Sequence, residues 1–134
     1  MFVMDDLTIC NLEDPFVIQA VWEKGIVVDG YNQELYRHDF AGAWISRNAY
    51  GDPDSVYGWE IDHVYPKSKG GDDHFVNLRP MNIRNNRSKG DDYPRYRCVI
   101  TASDNRNEEK TGLCTVHNDL QVKLSSLFKI PENL

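Results

Sequence analysis

The sequence predicts an α+β fold in a single domain spanning residues 1–134. Three observations carry the prediction. Residues 57–90 read as strand, polar loop, strand and short helix. Residues 91–134 read as a β-hairpin followed by a helix, and residues 1–56 as an N-terminal extension with one helix and irregular chain.

Residues 1–13 have no clear period and predict an arm or an edge strand. Asp14-Pro15 then supplies a helix cap and a first-turn proline, and Gly25 a stop. Phe16, Val17, Ala20 and Val21 recur on one face between them, so a short amphipathic helix is expected over about 14–24. Residues 26–50 mix β-branched and aromatic residues with Asp29-Gly30 and Gly42, the mark of irregular or extended chain. Tyr31, Tyr36, Phe40, Trp44 and Tyr50 are expected in the core.

Alternation from Tyr57 predicts a strand ended by Pro66, and residues 67–76 a polar loop around Gly70-Gly71. Asn77-Leu78-Arg79-Pro80-Met81 fits a second strand, and residues 82–89 a helix closed by Gly90. After Tyr93-Pro94, RYRCVITAS and GLCTVH read as two strands joined by DNRNEEKT. Asn118-Asp119 is expected to cap a last helix, whose stripe Leu120, Leu124, Leu127 and Phe128 ends before Pro131.

Composition narrows the class. With 40% hydrophobic and 27% charged residues, the chain is neither collagenous, coiled-coil nor wholly disordered. No run approaches the roughly 18 apolar residues of a membrane span. MFVMDDLTIC lacks the basic region and apolar core of a secretory signal, so a cytoplasmic location is expected. Cys10, Cys98 and Cys114 form no CxxC pair and are expected as reduced thiols, with Cys98 and Cys114 near neighbours across the hairpin. Zinc on Cys98, Cys114 and His117 is disfavoured, because paired-ligand spacing is missing.

The net charge of −6 averages an uneven distribution. Residues 1–62 carry −9, residues 63–97 carry +4, and residues 98–134 carry −1. The positive charge coincides with the most informative stretch, WEIDHVYPKSKGGDDHFVNLRPMNIRNNRSK, residues 59–89.

That stretch resembles the HNH endonuclease family. The resemblance rests on Asp62-His63 at the end of the first strand, then Pro66 and Ser68-Lys69-Gly70-Gly71. Asn77-Leu78 follow on the second strand, and Asn86 and Lys89 on the helix. It implies a ββα-metal core and a nuclease that hydrolyses DNA, leaving 5′-phosphate and 3′-hydroxyl ends. It further implies His63 as general base and Asn77 as the residue that ties down the loop and orients His63. Asp62 and Asn86 would hold Mg²⁺, with Mn²⁺ as a substitute, and Arg87 and Lys89 would contact nucleic acid. Arg79 either joins them at the scissile phosphate or pairs with an acid. One motif per chain makes one cut, so a monomer would nick and a homodimer would cut both strands.

The chemistry asks for such residues. Phosphodiester hydrolysis needs a base for water, and histidine is mostly neutral yet basic near pH 7. Charge on the leaving oxygen is stabilised by a hard cation, which oxygen ligands suit. Adjacent strand residues point to opposite sides, so Asp62 and His63 face one metal only if the strand ends or twists there. Asn85 competes with Asn86, and Glu60 shares the Asp62 face as either an outer ligand or an ion-pair partner. The alternatives are the same chemistry on RNA, a toxin or defence effector, and a non-catalytic nucleic-acid-binding module.

Overall fold

A computed structural model describes residues 4–132. The N-terminal arm lies along the loop of the central motif. Cys10 N–H donates to the Asp73 carbonyl, while the amides of Phe75 and Val76 donate to the carbonyls of Thr8 and Asp6. Helix α1 (Pro15–Trp22) begins where the Asp14 side chain accepts the Phe16 amide at 2.9 Å. It ends short of residue 24, because the amides of Lys24 and Gly25 turn back to Val21 and Trp22.

Within the stretch expected to be irregular or extended, β1 (Tyr36–His38) and β2 (Trp44–Ser46) form an antiparallel pair. Trp44 is buried as expected, whereas Tyr31, Tyr36 and Phe40 are exposed. The Tyr31 ring lies 4.6 Å from Trp44, and the Phe40 ring 5.7 Å from the Arg79 guanidinium. Those two aromatics roof buried groups instead of filling the interior.

The central unit is β3 (Trp59–His63) paired antiparallel with β4 (Leu78–Asn82), followed at once by helix α2 (Ile83–Lys89). β3 stops before Pro66 because Val64 and Tyr65 bond to Asn77 as the chain enters the loop. Asn82 starts α2 by accepting the Arg84 amide at 2.9 Å, and Gly90, at φ +52°, ends it. The long hairpin β5 (Arg95–Ser103) and β6 (Arg106–Thr115) packs against α2. Helix α3 (Asn118–Leu127) is capped by His117, whose Nδ1 accepts the Asp119 amide at 3.3 Å, and not by Asn118 or Asp119. Among the described residues, no helix is long and apolar enough to cross a membrane.

Two apolar clusters hold these elements. One gathers Val21, Trp22, Ile45, Trp59, Phe75 and Leu78, with the Trp22 and Trp59 rings 5.3 Å apart. The other gathers Val64, Tyr65, Val76, Met81, Tyr96, Leu124 and Phe128. The central unit supplies residues to both, so its backbone is clamped from two sides. Cys98 and Cys114 are free thiols, opposite Gly112 and Tyr96 respectively, and burial pushes the Cys114 thiol up to about 11.

Candidate active site

The 66–77 loop is closed by two devices. Gly71 N–H donates to the Pro66 carbonyl at 3.0 Å, and an added Cβ at Gly71 would lie 1.9 Å from the Tyr65 carbonyl oxygen. A side chain there is incompatible with the loop. Asn77, fully buried, accepts the Tyr65 amide at 2.8 Å and donates to the carbonyls of Tyr65 and Asp72, both at 3.0 Å. One amide side chain thereby ties the two ends of the loop together, two residues beyond His63.

His63 stands at the end of β3 with its ring 18% exposed. Its Nε2 is 2.7 Å from Asp73 Oδ1, and Lys67 Nζ lies 3.7 Å from the same oxygen. Asp73 was not singled out from sequence. The available signal was its position in a short glycine-closed loop ten residues after the histidine. The next pair, His74 Nδ1 and Asp72 Oδ1 at 2.5 Å, lies beside it.

Asp62 points the other way, as strand alternation requires. It is 4% exposed, with Oδ2 3.0 Å from Arg79 Nε and Oδ1 3.2 Å from Lys89 Nζ. Lys89, expected on the nucleic-acid face, is instead 1% exposed, and Arg79, 4% exposed, takes the second of its two expected roles, pairing with an acid. The cause lies in the register. Arg79 is directly opposite Asp62 across the β3–β4 pair, and its guanidinium lies 5.2 Å from the Tyr96 ring centroid. Lys89 reaches in from the last turn of α2 and also donates to the His63 carbonyl at 3.1 Å. Burial pushes the Lys89 ammonium's pKa down, and the Asp62 charge opposes that shift. Burial also pushes the Tyr96 hydroxyl up to about 12.

The two candidate asparagines separate by environment. Asn85 is fully buried. Its Oδ1 accepts the amides of Val99 and Ile100, and its Nδ2 donates to the Ile100 carbonyl and to Asp39. It fastens α2 to β5. Asn86 is half-buried and donates from Nδ2 to Glu60 Oε1 at 2.9 Å. Glu60–Asn86 and Asp62–Lys89 are thus two successive rungs between β3 and α2.

These oxygens suit a hard cation. The Lys89 ammonium is held there by a carboxylate oxygen and a main-chain carbonyl. Among the described residues, no group of three or more His, Cys, Asp or Glu is gathered to hold a metal ion.

With Arg79 and Lys89 committed to Asp62, the solvent-facing positive charge of the segment comes from Lys67, Lys69, Arg84, Arg87, Arg95 and Arg97. Arg84 is paired with Glu109 at 3.1 Å. Lys67 shares Asp73 with His63 at 3.7 Å, which leaves Lys69, Arg87, Arg95 and Arg97 with no ion pair among the described residues.

Compared with known families, residues 52–95 match the model of the HNH endonuclease family. The match contains β3, the loop, β4 and α2, and the HNH resemblance is shown over that stretch. No curated protein and no solved structure matches the chain.

Proposed function

We propose that this chain, carrying an HNH endonuclease segment over residues 52–95, is a divalent-metal-dependent endonuclease that hydrolyses phosphodiester bonds of DNA. The observation that carries the reading is the His63–Asp73 contact of 2.7 Å on a loop pinned by Asn77. A carboxylate that accepts Nε2–H fixes the tautomer and leaves the Nδ1 lone pair to take a proton from water. His63 is the general base, worth about 10²- to 10⁴-fold in rate. Asp73 and Asn77 are positioning residues.

Asp62, the His63 carbonyl, Asn86 and Glu60 are the oxygen donors that would hold Mg²⁺, or Mn²⁺ in its place. Bound there, the ion would stabilise charge on the phosphate and the leaving oxygen. Arg87, together with Lys69, Arg95 and Arg97, supplies the phosphate contacts. The acidic remainder of the chain holds non-specific affinity down, and the lysine and arginine contacts to phosphates make it salt-sensitive.

The test is incubation of the chain with supercoiled plasmid and with RNA of matched sequence in Mg²⁺. Conversion of plasmid to the nicked form is expected. Cleavage of RNA alone would redirect the reading to RNA, and turnover of neither substrate in any divalent ion would leave a binding module.

A further inference from the structure

We propose that the Lys89 ammonium and the divalent ion compete for one cation position, formed by Asp62 Oδ1 and the His63 carbonyl oxygen, so that the metal loads only when Lys89 leaves. The inference rests on the metal reading above and adds a residue that opposes metal binding.

The geometry is specific. Lys89 Nζ lies 3.2 Å from Asp62 Oδ1 and 3.1 Å from the His63 carbonyl, and the Lys89 side chain has no exposed surface. The charge balance agrees, since a single buried carboxylate already faces two cations, Arg79 and Lys89. A divalent ion added next to an ammonium in a low-dielectric interior meets strong repulsion. One of the two must go.

Arg79 is poorly placed to be the one displaced. Its guanidinium lies 5.7 and 5.2 Å from the centroids of the Phe40 and Tyr96 rings, and it occupies the other carboxylate oxygen. Lys89 sits on a flexible side chain in the last helical turn, one residue before Gly90. Removing Lys89 also leaves Asp62 with a partner, so the site survives the substitution that tests it.

The experiment is Mn²⁺ binding to the full chain, followed by loss of the free-ion electron paramagnetic resonance signal. The parent, Lys89→Ala, and Lys89→Ala combined with Asp62→Asn are compared. Lys89→Ala should bind at least tenfold more tightly than the parent, and Asp62→Asn should remove that gain. Equal or weaker binding by Lys89→Ala overturns the competition while leaving the metal reading intact. So does a gain that survives Asp62→Asn. Absence of binding by every protein overturns both.

A measurement on the parent covers the case in which Lys89→Ala does not fold. Acetic anhydride labelling read by mass spectrometry should leave Lys89 protected without metal and labelled in saturating Mn²⁺. Protection that persists at saturation overturns the proposal.

Discussion

His63 and Asp62 are neighbours on one strand, yet they belong to different kinds of structure. His63 faces a loop, is partly exposed, and meets one carboxylate. Asp62 faces the interior and meets two cations across a strand and a helix. The His63 side is arranged so that a ring nitrogen stays available. The Asp62 side is arranged so that each buried charge has a partner, as burial of charge demands. Substitutions on the first side should therefore cost rate, and those on the second should first cost stability.

The sharpest break falls on the buried side. Asp62→Ala leaves Arg79 and Lys89 facing each other without a carboxylate and should lower unfolding free energy by about 3–5 kcal/mol. Urea denaturation reads this directly, and a loss under 1 kcal/mol would mean that the three groups are not held together. Asn77→Ala comes next. Three hydrogen bonds within the loop disappear, at about 1 kcal/mol each, in the same denaturation experiment.

On the loop side the balance inverts. Asp73→Asn should slow plasmid nicking by up to about a hundredfold through misplacement of the His63 ring. The melting temperature should stay nearly unchanged, because the Asp73 side chain is 29% exposed and its main-chain bond from Cys10 remains. Recovery of rate in Asp73→Glu would separate positioning from a general structural effect.

A half-buried cation, Lys24, gives the smallest effect. Lys24 donates to the carbonyls of Phe75 and Leu78, and burial lowers its pKa to about 8 from 10.5 against the opposing pull of the Asp6 charge. Between those values the unfolded chain binds the proton and the folded chain does not, so the Lys24 contribution to stability rises with pH. The Lys24 share, read as the difference in urea stability between the parent and Lys24→Met, should grow from pH 8 to 9.5 by about 1 kcal/mol, while the raised Cys114 thiol pulls both proteins the other way over the same range.

Much of this site was legible in advance, and the omissions have a common cause. Local signals sufficed for the strand–loop–strand–helix order, since alternation, Gly70-Gly71, Asn82 and Gly90 each act within a few residues. They also sufficed for His63 at a strand end and Asn77 at the loop's far side. What they could not supply was pairing across space. Sequence offers Arg79 an acid partner without saying which, and reads Lys89 as a phosphate contact, until the register sets Arg79 opposite Asp62 and the helix carries Lys89 onto the same carboxylate. Asp73 was hidden in the same way, in a polar loop whose closure depends on Asn77 and on the N-terminal arm. The buried Asp39, which accepts from Ala41, Ala43, Asn82 and Asn85, is a further case of a charge whose partners lie far along the chain.

The central claim is that His63, held by Asp73, is the base of a phosphodiester hydrolysis. Its most direct test is the nicking rate of supercoiled plasmid in Mg²⁺ for the parent and for His63→Ala, at matched folded fractions. The account predicts a fall of about 10²- to 10⁴-fold with little change in melting temperature. Equal rates for the two proteins would contradict it.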